Sequence, residues 1–317
     1  MKKSNRCLSH LKKSYRYSGR RTEIVYEVVK TWEHPFSIRG VLAILGVSTS
    51  GYYSWKKRQP SKQKQKKEVM IQKIKEVHNE SHQIYGAPKI TKELNSKGIQ
   101  VAQKTVANYM RENNLKACYV RKFTRTTLNS DFSSKLENIL NRQFNPSQPN
   151  ACWCSDITYI WTKEDGYVYL TSIMDLYSRK IIAWQVTQTL EIECVIHCIE
   201  EAKRKRQITH PLVIHSDRGS QYVSQRYREA LGDLFQYSYS KKGTPWDNAC
   251  IESFHALIKR EWLHRVTILT FREAKRCIFE YIETFYNTVR SHSACDFTSP
   301  NQFEKAYIKT EGKTNQP

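Results

Sequence analysis

From residue 151 onwards the chain is written in strands. Cys152 to Thr162 runs into the turn Lys163-Glu164-Asp165-Gly166, and Tyr167 to Asp175 and Lys180 to Thr189 follow. An Asp-Gly pair between two runs rich in β-branched and aromatic residues is a hairpin signal, because a tight turn needs the positive φ that Gly adopts freely. The three runs predict an antiparallel meander. A helix over about 191–206, a buried strand over Leu212 to His215, a helix over about 221–232, a strand over 235–240 and a helix from Asp247 continue the pattern. Meander, helix, strand, helix, strand, helix predicts an α/β unit on a mixed, five-stranded sheet.

The first half has a different texture. Residues 1–150 carry 30 Lys and Arg against 10 Asp and Glu, whereas residues 151–317 carry 22 against 20. Nearly all of the net charge of +22 therefore lies before the strands begin. Such a half suits a polyanion, and aromatic residues and helix-turn-helix patterns interleaved with the charge single out nucleic acid. One such pattern runs from Phe36 to Trp55: a short apolar helix ending at Gly46, a tight turn, and a second helix capped by Ser48. Another surrounds Tyr85-Gly86, with Ile90 and Leu94, then Val106 and Met110, at helical spacing.

Three function classes are excluded. The 39% hydrophobic and 12% aromatic content argues against a disordered chain. Nine cysteines without a regular framework, in a chain of this length, read as reduced thiols rather than staples, and Cys194 and Cys198 fall on the core face of the 191–206 helix. The apolar run Val41 to Val47 is too short to span a membrane, and no signal peptide is visible. A cytosolic location is expected.

Three acids stand out by position. Asp156 lies inside the first strand, Asp217 ends the run Leu212 to Ser216, and Glu252 lies about one turn into the last helix. Each alone has an ordinary reading: a half-buried strand residue, a turn cap, a solvated helix residue. Together, on neighbouring strands and a crossing helix, they would repel one another unless a hard divalent cation neutralised them. Asp175 also follows an apolar strand, but it precedes the turn Leu176-Tyr177-Ser178-Arg179 and is expected to serve that turn.

At these residues the chain resembles a known family. The runs His215-Ser216-Asp217-Arg218-Gly219-Ser220-Gln221-Tyr222 and Ser240-Lys241-Lys242-Gly243-Thr244-Pro245-Trp246-Asp247-Asn248-Ala249-Cys250-Ile251-Glu252-Ser253-Phe254-His255 are similar to the catalytic core of insertion-sequence transposases of the two-reading-frame DDE type, relatives of retroviral integrases. Sixty residues separate Asp156 from Asp217, and 34 separate Asp217 from Glu252, close to that group's spacing. The likeness extends upstream to Tyr85-Gly86 and downstream to Tyr286-Asn287, Arg290 and His292.

The resemblance implies an RNase H-like core in which Asp156, Asp217 and Glu252 are catalytic and bind Mg²⁺ or Mn²⁺, as two ions. It implies attack on a DNA phosphodiester by water and then by a 3′-hydroxyl, joining element ends and inserting them into target DNA. The implied partners are double-stranded DNA, further copies of the chain on that DNA, and an upstream-frame segment or fusion. Lys259, two turns beyond Glu252, is a candidate phosphate contact; Lys241 and Lys242 are further candidate DNA contacts, Asn248 either orients Glu252 or binds DNA, Arg290 and His292 either contact DNA or pack against the core, and Asp247 is expected to cap the helix. An N-terminal zinc site like that of retroviral integrases is not expected, since Cys118 has no partner at Cys-x-x-Cys spacing beside His78 and His82. The expected organisation is a basic arm and helix-turn-helix unit over 1–58, a charged linker over 59–67, a second DNA-binding unit over 68–128, a connector over 129–145, the catalytic domain over 146–310 and a tail over 311–317. An accessory DNA-binding subunit with little activity of its own, and a nuclease acting on RNA–DNA hybrids, are the competing readings.

Overall fold

The computed structural model describes residues 22–31, 37–59, 61–118, 136–241 and 243–314. The basic arm over residues 1–21, the basic stretch and connector over 119–135, Lys242 and the last three residues lie outside the described residues. The chain divides into two compact units, Met1–Met70 and Ile71–Pro317.

In the first unit, α1 (Thr22–Lys30), α2 (Ile38–Ile44) and α3 (Thr49–Lys57) enclose Tyr52, which is buried with Val25, Val29, Val41 and Leu42. Gly46 turns the chain between α2 and α3 at φ 70°. Ser48 then caps α3, its hydroxyl accepting the Gly51 N–H at 3.2 Å. α4 (Lys62–Glu80) begins here, and its second half belongs to the second unit.

The second unit opens with α5 (Ala87–Ser96) and α6 (Gln103–Glu112), which bury Ile90, Leu94, Val106 and Met110. Its sheet has the order β3-β2-β1-β4-β5, formed by β1 (Cys152–Thr162), β2 (Gly166–Asp175), β3 (Ile181–Thr187), β4 (Leu212–Ser216) and β5 (Phe235–Tyr239). The meander pairs antiparallel, while β4 and β5 run parallel to β1. The expected mixed sheet is thus present. Parallel neighbours need crossovers: α7 (Ile192–Arg206) links β3 to β4, and the short α8 (Ser220–Val223) and α9 (Gln225–Leu231) link β4 to β5.

One face of the sheet packs on α7, which contributes Val195, Cys198, Ile199 and Ala202 to a core with Trp153, Ile173 and Leu212. Cys194 and Cys198 are buried as expected. α10 (Ala249–Glu261) packs against β1 and buries Ile251, Phe254 and Ile258. α11 (Phe271–Phe279), a π-helical turn (Glu280–Tyr286) and α12 (Pro300–Thr314) follow. Asn287 closes the outer edge of the sheet: its amide accepts the Ile181 N–H at 3.0 Å and donates to the Ile181 carbonyl at 2.9 Å. That occupies backbone groups an edge strand would otherwise leave open.

Asp247 departs from its expected role. A 3₁₀ turn (Pro245–Asn248) precedes α10, and the Asp247 carboxylate does not cap the helix. It faces back instead, accepting from Arg142 at 2.7 Å, Asn138 at 2.9 Å, the Lys241 N–H at 2.9 Å and Thr244 at 2.9 Å. The end of the connector supplies stronger donors than the helix amides, and the loop before α10 is pinned to it. Asp175 serves its turn as expected, accepting from Tyr177 N–H at 3.0 Å and from Asn150 N–H at 2.9 Å.

Candidate active site

Strands β1 and β4 run side by side with Cys154 opposite His215. Two residues further along lie Asp156, inside β1, and Asp217, just past the end of β4, so parallel pairing carries both carboxylates to one end of the β1–β4 seam. Asp217 Oδ1 accepts the Gly219 N–H at 2.9 Å. Burial of the carboxyl and the charge of Asp156 push the Asp217 pKa up to about 6. Its outer edge is exposed, so solvent screens part of that repulsion.

Glu252 occupies the first turn of α10 and is exposed. Residues 252, 255 and 259 fall on one helical stripe. His255 Nδ1 lies 3.3 Å from Asp156 Oδ2. Burial lowers the Lys259 pKa, and the charge of Asp156 opposes that shift. The stripe therefore looks onto Asp156, and Glu252 stands at its leading end. Among the described residues no three His, Cys, Asp or Glu side chains converge closely enough to hold an ion jointly. The fold brings Asp156 and Asp217 together and leaves Glu252 on the rim of the same face. Two carboxylates brought side by side, with Glu252 one helical turn ahead of the His255 that lies against Asp156, offer hard oxygen donors, a chemistry that fits Mg²⁺ or Mn²⁺.

The other candidates fall into three groups. Lys241 is exposed on the loop after β5, whose Trp246 is 68% exposed, while Lys242 lies outside the described residues. Asn248 is only 2% exposed, and its side-chain oxygen has no hydrogen-bond partner; it sits beneath the surface and does not present its amide to DNA. Of the two roles expected for Arg290, the fold takes core packing over DNA contact. It is 6% exposed and clasps Glu261 with two hydrogen bonds, at 2.7 and 2.6 Å, at the far end of α10 from Glu252. A guanidinium committed to a buried carboxylate is a packing element, not a DNA contact.

Sequence reading also missed contacts around the acids. Arg218 holds the loop after β4, donating to the Ser240 carbonyl at 2.9 Å and the Leu136 carbonyl at 3.1 Å. Tyr222 is buried beneath the acid pair with its hydroxyl 3.1 Å from Ser155, and burial followed by the charges of Asp156 and Asp217 raises its pKa. His255 could have been singled out by its spacing three residues after Glu252. Away from the site, the His78 Nε2 is 3.2 Å from the Lys116 carbonyl, and the His82 ring packs edge-on against Trp262 and Phe285.

The chain matches an integrase core domain family over residues 146–245, a second integrase core domain family over residues 235–300 and an HTH-like domain family over residues 64–123. It is 40% identical over 249 residues to the transposase for insertion sequence element IS904 of Lactococcus lactis, covering 78% of this chain and 98% of the relative. It is 34% identical over 282 residues to transposase InsF for insertion sequence IS3A of Escherichia coli, covering 88% and 98% respectively. Among solved structures, the catalytic core domain of BIV integrase matches 53% of this chain and 99% of its own with 15% identity and a TM-score of 0.36.

Proposed function

This chain belongs to the family of insertion-sequence transposases, a DNA-binding, divalent-metal-dependent DNA transposase on an RNase H-like core, and we propose that it cuts the ends of its element and joins them to target DNA by transesterification at Asp156, Asp217 and Glu252. The observation that carries this reading is the placement of Asp156 and Asp217 at one end of the β1–β4 seam, where burial and then the charge of Asp156 raise the pKa of Asp217. Two Mg²⁺ ions (or Mn²⁺) held by Asp156, Asp217 and Glu252 would supply Lewis acidity at the attacking and leaving oxygens.

The chain's own residues do the rest. Lys259 sits where its ammonium meets a phosphate drawn to the acids, since Asp156 already acts on its charge. Glu252, exposed in the first turn of α10, turns inward to complete the set. Lys241, with its backbone N–H tied to Asp247, carries its side chain out towards DNA on a fixed loop. Residues 1–58 and 68–128 read and grip duplex DNA, residues 146–310 carry the chemistry, and several copies assemble on the two element ends with the upstream-frame product. Such work belongs where the bacterial chromosome is, in the cytosol. Among the described residues no helix is long and apolar enough to cross a membrane.

The test is a strand-transfer assay with element-end DNA, Mg²⁺ and the purified chain, with and without the upstream-frame segment. Cleavage and joining that disappear in Asp156→Asn, Asp217→Asn and Glu252→Gln support the reading. DNA binding without cleavage under every condition would favour the accessory subunit instead.

A further inference from the structure

We propose that His255 and Ser172 form a relay that holds the Asp156 carboxylate in the orientation its ion needs, making His255 a positioning residue of the site. The inference rests on the reading of Asp156 as a metal ligand. Three elements meet at this point. Ser172 on β2 is the direct cross-strand partner of Asp156 on β1. His255 descends from α10 between them, with Nε2 2.6 Å from the Ser172 hydroxyl and Nδ1 3.3 Å from Asp156 Oδ2. Ser172 is fully buried and His255 is 5% exposed, so neither ring nitrogen has bulk water as an alternative partner.

The chemistry of the contacts assigns the roles. A carboxylate only accepts, so for His255 to hold Asp156 across 3.3 Å the relay assigns the ring proton to Nδ1. In the Nδ1–H tautomer Nε2 carries a lone pair, to which the Ser172 hydroxyl donates. Ser172 thereby fixes the tautomer, and the tautomer fixes Asp156. Metal sites are commonly arranged in the opposite sense, with a carboxylate orienting a ligating histidine; here a histidine orients a ligating carboxylate. The logic is the same, because a ligand that is already oriented loses less rotamer freedom when the ion binds. The arrangement also explains why His255 can lie one turn from Glu252 and still be buried. Its contacts run down to the strands, whereas Glu252 remains at the surface.

The full chain, free of nucleic acid, is titrated with Mn²⁺ and followed by electron paramagnetic resonance. His255→Asn, His255→Gln, His255→Ala, Ser172→Ala and Asp156→Asn are compared with the unmodified chain, and the melting temperature of each confirms folding. The amide nitrogen of Asn stands as far from Cβ as Nδ1 does, and that of Gln as far as Nε2. His255→Asn is therefore expected to keep affinity within a few-fold. His255→Gln and His255→Ala are expected to lose about ten-fold or more, and Ser172→Ala a smaller amount. Nitrogen-15 spectra of the metal-free protein should show the Nδ1–H tautomer, mixed with the other in Ser172→Ala. Equal losses in His255→Asn and His255→Gln, or affinity unchanged in all His255 variants while Asp156→Asn abolishes binding, would overturn the relay alone. Absence of Mn²⁺ binding in the unmodified chain, or indifference to Asp156→Asn, would overturn the site reading and the relay with it.

Discussion

Replacing Asp217 by Asn separates the electrostatics of the site from its chemistry. In the folded chain the carboxyl is raised from 3.8 to about 6, by burial and then by Asp156. A shift of about two pKa units corresponds to ~3 kcal/mol of disfavour for the charged form at neutral pH. Asp217 has an exposed edge, so solvent screening reduces this to about 1 kcal/mol. The sign follows from linkage. The folded pKa lies above the unfolded value, so the group's contribution is fully present below pH 3.8 and is lost as pH rises through about 6. Asn cannot ionise, and its side-chain oxygen still accepts the Gly219 N–H. In metal-free buffer at pH 7.5, Asp217→Asn should therefore melt higher than the unmodified chain by about 2–4 °C. The gain should shrink as the buffer is taken from pH 7.5 towards pH 4. Adding Mg²⁺ should reverse the order, because an ion that binds only the native pair stabilises the unmodified protein by mass action. Differential scanning calorimetry in chelator and in Mg²⁺ reads all three outcomes, and a strand-transfer assay should show joining abolished with DNA binding retained. A metal-free melting temperature equal to or below that of the unmodified chain at pH 7.5 would refute the claim that Asp156 and Asp217 repel across the β1–β4 seam.

Other expectations concern the frame around the site. Arg290→Ala leaves the Glu261 carboxylate buried with the Tyr281 hydroxyl at 2.7 Å and the Arg260 guanidinium no nearer than 3.9 Å, which should cost about 3–5 kcal/mol in urea unfolding; recovery of full stability by Arg290→Lys would show that the two-pronged contact is unimportant. Lys89 donates to the Ser291 carbonyl at 2.8 Å, and burial, then Arg290, lowers its pKa from 10.5 to about 7. Its folded pKa is depressed, so the charged form is penalised below about 7 and the penalty is relieved as pH rises towards 10.5. The stability difference between Lys89→Met and the unmodified chain should accordingly favour the variant most near pH 6 and narrow by pH 9, and a flat difference across that range would count against the assignment. Trp246→Ala and Lys241→Ala should each weaken binding to element-end DNA several-fold with Mn²⁺ affinity unchanged, since both lie on the exposed face of the loop before α10. Unaltered DNA affinity in both, measured by anisotropy at fixed salt, would place the DNA path elsewhere.

The division between what could be read from the residues and what could not follows the range of the interactions. The β1–β2 hairpin was legible because Asp165-Gly166 and the alternation around it are local, and Ser48 was legible as a cap because its acceptor role reaches only to Gly51. Asp156 and Asp217 could be placed because parallel pairing converts strand order directly into neighbourhood. Asp247 was misjudged, and the two readings of Arg290 could not be separated, for the opposite reason. Their partners, Arg142 and Glu261, are fixed by how the connector and the C-terminal helices pack, and no periodicity or cap rule reports that. α10 joins the two kinds of information. Its spacing correctly puts residues 252, 255 and 259 on one stripe, but only the fold shows the helix held in its middle by His255 on Asp156 and at its end by Arg290 on Glu261. A helix anchored at those two points keeps its first turn at a fixed distance from the β1–β4 seam. That first turn carries Glu252, so the two anchors set where its carboxylate stands relative to Asp156 and Asp217.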